Sequence, residues 1–547
     1  MVSVLVTNNN GYAWTYESGV YFKGYFQFKD DDEYRVYREK DAAGCFCGVS
    51  TREELANILQ KIDGIFAVIV ENADSVLAAV DRSRSFPLYY EKNGACLSDS
   101  AEEIRKQMNI DNESVDEIQY MSLLSCDYLF GNNTVYSEIG QLDLGQAVCL
   151  KNGSVDLCYY FYHLSSIENL PDCAIKEKLY EAALKTFKRL KKVINNRPVV
   201  LSMSGGYDSR FVGCMLKKVG ITDVSCYTYG KPQSFEVIQS KKNAEALGFR
   251  WICVEYTDEE VCRVLDETGI DYLDSYTGHD FTAYVQNFPA VRKLHEDGWF
   301  KEKSVFITGL CADMPTGNYV PEYDEHMMFN PYTAAEYLYK LIFTRYTMKE
   351  NFKKQWCNDI AKKIELLPLK IHDYQSWVTA IDCIYTGTCH SHWFMHMNTV
   401  HSYFGYEWLL PCWSESYLKQ WYSIDAKKRI HQRFYEDWLL NDICSEWGID
   451  DKKVRACYSR NAIIKKIKYF MGSILCFVFL NAGITFRRRY DYNNFAPLEL
   501  NVFKRIPDKK MVLYRKGGLP LLLNQYLLQR RYGVKNMKKA LKKFVIN

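Results

Sequence analysis

Two different rhythms of apolar and polar residues divide this 547-residue chain. Up to about residue 160 the apolar residues come in short runs separated by turn residues. Gly-Ile-Phe-Ala-Val-Ile-Val at 64–70 and Val-Leu-Ala-Ala-Val at 76–80 flank a turn at 71–75. Runs at 87–90 and 95–97 flank Lys-Asn-Gly at 92–94, and runs at 148–150 and 155–162 flank Lys-Asn-Gly at 151–153. This pattern predicts strands and hairpins. The opening Val-Ser-Val-Leu-Val predicts a first strand and 102–108 a helix. The whole half predicts a layered antiparallel-sheet domain, followed by a polar connector at about 165–173.

From residue 174 the period changes. Apolar residues at helical spacing, with lysines on the other face, predict a helix over 174–193. Strands at 199–203, 224–229 and 251–255 then alternate with helices at 209–219, 235–247 and 258–267, and a later strand is expected at 304–307. Such alternation predicts a doubly wound parallel sheet. Beyond it the chain reads as mainly helical and rich in aromatics. The fold class is therefore α/β combined with α+β.

The chemistry concentrates where the first strand of the second half ends. Ser204-Gly205-Gly206-Tyr207-Asp208-Ser209 joins an apolar strand to a helix N-terminus. Bare N–H groups and the helix dipole make such a turn an anion site, and glycine lets phosphate approach the backbone. No Gly-Lys-Ser/Thr follows, so it is not a Walker A loop. Ser-Gly-Gly-x-Asp-Ser is the pyrophosphate loop of enzymes that split ATP between its α and β phosphates. Asp208 suits such a loop when a magnesium ion accompanies the anion.

Composition narrows the classes. The length implies two or more domains, and 48% hydrophobic residues suffice for large cores. A net charge of +2 offers no electrostatic basis for nucleic-acid binding. The 19 cysteines are scattered singly, and the N-terminus lacks a basic region with a long apolar core, so reduced thiols and a cytoplasmic setting are expected. The stretch 469–486 is mostly apolar, between Lys465, Lys466 and Lys468 on one side and Arg487, Arg488 and Arg489 on the other. It is shorter than the roughly 20 residues a span needs. A buried or surface-lying helix is expected there, with peripheral membrane contact left open.

Taken in order, these segments resemble the asparagine synthetase family over residues 1 to about 440. The resemblance rests on Asp-Gly-Ile-Phe-Ala-Val-Ile at 63–69, Ala-Val-Asp-Arg-Ser-Arg-Ser-Phe-Pro-Leu-Tyr-Tyr at 79–90 and Leu-Ser-Asp-Ser-Ala-Glu at 97–102. In the second half it rests on the pyrophosphate loop, Tyr-Thr-Tyr-Gly at 227–230, Thr308-Gly309 with Asp313, and Phe-Gly-Tyr-Glu-Trp-Leu-Leu-Pro at 404–411. It implies a glutaminase-like (Ntn-type) antiparallel sandwich at 1–163, an ATP-pyrophosphatase (PP-loop) domain at 174–440 and a helical C-terminal extension at 441–547. It also implies ATP and Mg2+ as cofactors. Ser204, Gly205, Gly206 and Ser209 then hold pyrophosphate, Asp208 and Asp313 hold the metal as the catalytic pair, and Ser202, Tyr229, Thr308 and Gly309 read adenosine.

The departures bear on function. The family's glutaminases use an N-terminal Cys freed by removal of Met, whereas position 2 here is Val and the first cysteine is Cys45. The front domain is expected not to hydrolyse glutamine. Leu310 and Met314 stand where the family's Ser-Gly-Glu-Gly-Ser-Asp-Glu motif has glutamates. Lys452, Lys453 and Arg455 are candidate cations for the phosphates, none of them aligned with the family's lysine, with a solvated surface run as the alternative. His390, His392, His396 and His401 read as a polar face lining an acceptor cavity, or with His396 or His401 as base for the amine.

The resemblance implies an ATP-dependent ligase that adenylates a carboxylate and passes it to ammonia or an amine. Relatives without the Cys point to polysaccharide or secondary-metabolite biosynthesis, or to closure of a β-lactam or peptide ring. The alternative is a catalytically degenerate relative that binds nucleotide or a partner. A separate glutaminase and a homodimer stay open as partners.

Overall fold

The apolar runs of the first half become two sheets. A computed structural model describes residues 2–151, 153–164, 166–310, 312–449, 451, 475–487, 491–509 and 518–546. Seven strands form one antiparallel sheet in the order β11 (Ser154–Tyr159), β10 (Gln146–Lys151), β6 (Ser75–Val80), β5 (Ile62–Glu71), β3 (Val20–Phe28) and β2 (Thr15–Glu17), with β4 (Tyr37–Arg38) also paired to β3. Four more form a second sheet, β1 (Ser3–Leu5), β8 (Cys96–Ser98), β7 (Tyr89–Glu91) and β9 (Ile139–Gln141).

Strand β5 is apolar on both faces because both are covered. Ile65, Ala67 and Ile69 share a core with Tyr89, Tyr90 and Leu97 of the four-stranded sheet. Phe66, Val68 and Val70 face the other way, onto Phe22, Phe26 and the Leu55 and Leu59 side chains of the helix Arg52–Leu59. Strand β3, nine residues long, has no counterpart in the sequence reading. Gly24 interrupts its pattern at φ +101°, and a Cβ there would lie 2.1 Å from the Ile65 carbonyl oxygen.

In the second half β12 (Val199–Ser202), β13 (Val224–Gly230), β14 (Arg250–Glu255), β15 (Val305–Ile307) and β16 (Glu407–Leu409) form an all-parallel sheet in the order β14-β13-β12-β15-β16. The helices Asp172–Ile194, Tyr207–Lys218 and Phe235–Leu247 lie close to their expected bounds. The helix expected over 258–267 is two, Asp258–Cys262 and Glu267–Tyr276, because the Asp266 carboxylate caps the second by accepting from the Gly269 N–H.

The described part of 441–547 is built into the body of the protein. The helix Leu519–Phe544 packs on Glu117–Cys126, and Asn524 Nδ2 donates to the Leu123 carbonyl at 2.9 Å and to Asp127 Oδ1 at 2.6 Å. Of the apolar stretch 469–486, residues 469–474 lie outside the described residues, and 475–480 are helical. Among the described residues no helix is long and apolar enough to cross a membrane.

Candidate nucleotide site

Strand β12 lies between two parallel neighbours, so β12, β13 and β15 end at one edge of the sheet. Ligands of open parallel sheets bind beyond that edge. The chain leaves Ser202, crosses Met203 to Gly206, and enters the helix Tyr207–Lys218, whose N-cap Gly206 supplies no side-chain cap. The loop braces itself instead. Ser204 N–H donates to Ser209 Oγ at 3.0 Å, the two serine hydroxyls are 3.1 Å apart, and Gly206 N–H donates to Ser204 Oγ at 3.0 Å.

Asp208 and Asp313 open into one cleft of about 650 Å³, together with Ser204, Gly206, Tyr207, Asn318 and the turn His431, Gln432 and Arg433. The Tyr435 hydroxyl donates to Asp208 at 3.2 Å and Asn318 Nδ2 to Asp313 at 3.1 Å. Both carboxylates also act on one buried thiol, Cys412, adding to the upward push that burial gives it. Asp208 comes from the first turn of a helix and Asp313 from the loop after β15, 105 positions later in the sequence.

Gly309 makes this approach possible. A Cβ on Gly309 would lie 2.7 Å from the Asp208 carbonyl carbon and 2.8 Å from the Ser209 nitrogen. Gly309→Ala is expected to push the 308–313 segment off the helix and lower nucleotide turnover by about a hundredfold, the usual effect of a displacement near 1 Å. Steady-state kinetics with nucleotide titration check it; unchanged turnover would show that the close packing has no bearing on the site.

Gly205, Ser209 and Gly309 lie in the backbone around the cleft without lining it, and Ser202, Tyr229 and Thr308 lie along the neighbouring strand ends. Tyr229 stacks on Tyr256 with ring centroids 5.0 Å apart. The buried Thr308 hydroxyl has no hydrogen-bond partner among the described residues.

Several contributors had no sequence signal. Glu236, in the first turn of its helix, accepts from the Gly205 N–H at 3.0 Å, a donor that a phosphate would claim. Tyr435 comes from the helix Arg433–Trp438. His431 and Gln432 sit at φ 54° and 59°, two successive left-handed residues that no glycine announces. Beneath them Arg429 and Asp382 form a fully buried ion pair at 2.5 Å. Arg429 also donates to the Pro315 carbonyl at 2.9 Å, and Tyr319 donates to Asp382 at 2.6 Å, so one pair ties together both loops that form the cleft wall.

Lys452, Lys453 and Arg455 lie outside the described residues. Asp451, just before them, is held beside the loop. Arg210 donates to the Asp451 carbonyl at 2.6 Å and, through its other amino group, to the Gly205 carbonyl at 3.4 Å.

None of the four clustered histidines lines this cleft. His396 lies against Phe281, 3.4 Å between centroids, and faces a second cavity of about 520 Å³ that also contains Lys23 and Asp99. His401 stacks on Phe306, His390 on Phe394, and His392 reaches Asp143 at 3.2 Å. Burial pushes His390 and His401 down to about 3, His163, His279 and His392 to about 4, and His396 well below the ordinary imidazole range. Between about pH 6.5 and 4 the unfolded chain therefore binds protons that the folded chain refuses, so stability rises with pH. The melting temperature is expected to fall steadily from pH 7 to pH 4; equal melting at pH 7 and pH 5 would contradict neutral buried imidazoles.

Residues 189–448 match the family model described as asparagine synthase. The match covers just under half of the chain. The loop 204–209, Tyr229, Thr308, Gly309, Asp313 and the Arg429–Asp382 pair all fall inside the matched residues. No curated protein matches the chain. Among solved structures, glutamine phosphoribosylpyrophosphate amidotransferase from B. subtilis, complexed with ADP and GMP, is 11% identical, with 57% of this chain and 59% of that one covered at a TM-score of 0.17. A second, described as the allosteric regulatory enzyme of purine biosynthesis, is 10% identical, with 54% and 56% covered and a TM-score of 0.17. The chain thus spans less than two thirds of either, and a TM-score of 0.17 is too low to bear on the architecture.

Proposed function

We propose that the chain is an ATP-dependent carbon–nitrogen ligase that adenylates a carboxylate and transfers the acyl group to ammonia or an amine, releasing pyrophosphate and AMP. A carboxylate does not react with an amine in water because oxide is a poor leaving group, and joining it to AMP supplies a good one. The observation that carries the reading is the meeting of Asp208 and Asp313 in one cleft over an uncapped helix N-terminus at the end of a parallel strand.

In this reading the loop 204–209 and the first turn of its helix hold pyrophosphate through backbone N–H groups. Glu236 yields the Gly205 N–H when phosphate enters. Ser202, Tyr229, Thr308 and Gly309 border adenosine. Asp208 and Asp313 are oxygen ligands of the kind Mg2+ takes while keeping waters and phosphate oxygens. Mg2+ held there supplies positive charge to the departing pyrophosphate. Lys452, Lys453 and Arg455 stay the candidate cations that the sequence offers.

The N-terminal 1–163 is then an Ntn-type, glutaminase-like sandwich without its nucleophile, 174–440 a doubly wound PP-loop domain, and 441–547 a helical C-terminal part. Nitrogen reaches the site as ammonia, as an amine, or from a separate glutaminase. The acceptor differs from aspartate, in keeping with Leu310 and Met314, and belongs to polysaccharide or secondary-metabolite assembly.

A second reading, a nucleotide-binding relative without turnover, is favoured by Leu310 and by the Glu236 contact that occupies the Gly205 N–H. Pyrophosphate release separates the two. Purified protein with ATP, Mg2+ and mixtures of carboxylates and amines is expected to release pyrophosphate above the level of Asp208→Ala. Nucleotide binding without such release under any mixture would favour the second reading.

A further inference from the structure

We infer that the surface around 475–487 docks on an anionic membrane face, as a peripheral contact separate from the nucleotide cleft. The helical segment 475–480 sorts its side chains by face. Cys476 and Leu480, four apart, are buried, while Leu475, Val478 and Phe479 point outward. Leu475 is 44% exposed, Val478 55%, Phe479 37%, and Ile484 in the following turn 52%. Large apolar side chains exposed in so short a stretch form a patch that a lone surface leucine does not.

The inner face fixes the patch in place. Phe477 packs edge-on against Phe503 of the helix Ala496–Arg505, with centroids 6.2 Å apart. Phe479 rests on Phe486 at 5.5 Å. The same contact brings exposed cations beside the patch, with Lys504 and Arg505 at the end of that helix and Lys509 just beyond, its ammonium 5.5 Å from the Phe503 ring. Arg487 adjoins the patch but is paired with Asp258 at 2.7 Å.

Charge selects the occupant. Between Asp451 and Asp491 the sequence holds ten lysines and arginines and not one aspartate or glutamate. Apolar side chains that project outward beside Lys504, Arg505 and Lys509 match the boundary between headgroups and acyl chains. There aliphatic and aromatic groups leave water while cations meet anionic lipid. A second copy of the chain is disfavoured, because a twofold contact through this patch would set Lys504, Arg505 and Lys509 of the two copies against one another. Shallow docking also agrees with the absence of a spanning helix among the described residues.

The test is flotation of the full chain with vesicles of phosphatidylcholine alone and of equal parts phosphatidylcholine and phosphatidylglycerol, at low and high salt. Binding is expected to the anionic vesicles only and to weaken with salt. Val478→Asp with Phe479→Asp is expected to lower partition by about tenfold or more. Lys504→Gln with Arg505→Gln is expected to lower it by about fivefold for each charge removed. Both variants should keep the wild-type circular dichroism spectrum and nucleotide affinity. Failure to float with either vesicle, equal binding to both, or binding unaffected by both variants would overturn the proposal. So would ultracentrifugation showing that the patch variants split a dimer.

Discussion

Replacing Asp208 or Asp313 with alanine is expected to lower ATP-dependent pyrophosphate release by about a thousandfold or more, several kcal/mol of lost charge stabilisation. The protein should stay folded. Each carboxylate is half-buried at the cleft, and the Asp208 hydrogen bond to Tyr435 contributes only about 1 kcal/mol. If both side chains serve one ion, as proposed, their effects should not add. The double variant is expected to be little worse than either single one, as groups that act as a unit are. Asp208→Asn keeps the shape and the bond from Tyr435 while removing the charge, and should fall with the alanine variants. Turnover within tenfold of wild type in Asp208→Asn would mean that charge at this position is not what the site uses.

The second large effect lies one layer below the cleft. Asp382→Ala strands the Arg429 guanidinium in a site with no exposure to water, which is expected to cost about 3–5 kcal/mol. The consequence should reach the cleft. Arg429 holds the Pro315 carbonyl, and Gly317 packs so tightly that a Cβ there would lie 2.2 Å from the Arg429 carbonyl oxygen. Both the loop bearing Asp313 and the turn at 430–433 are therefore expected to loosen. Asp382→Leu combined with Arg429→Met removes both charges, and should recover most of the stability but not the turnover. Urea midpoints and pyrophosphate release, measured on the same three proteins, separate the two roles. If Asp382→Ala shifts the midpoint no more than an exposed Asp→Ala change does, the pair is not holding the wall.

The same contrast describes the molecule at large. A buried parallel strand is a continuous apolar run, so β12 is legible in the sequence to within a residue, and β13 and the half-exposed edge strand β14 follow from its alternation with helices. The helix 235–247 coincides with its expected bounds because a Ser N-cap and Gly248 at the C-cap bracket it locally. Strand β3 is not legible, since a left-handed glycine sits in its middle and only the facing Ile65 backbone explains it.

What the sequence determined by itself was everything set by neighbours along the chain. This includes the strand–turn–helix over 199–218, the alternation that makes a parallel sheet, and the valine in place of a cysteine at position 2. The tertiary structure decided what depends on residues far apart in sequence. It brings Asp313 to Asp208, puts Glu236 on a loop N–H, buries Asp382 against Arg429, and keeps His390, His392, His396 and His401 out of the cleft. The physical reason is that spacing rules describe one element at a time, whereas a site is made of side chains from several. Their meeting is decided by packing between elements, and one atom of excess at Gly309 or Gly317 would prevent it.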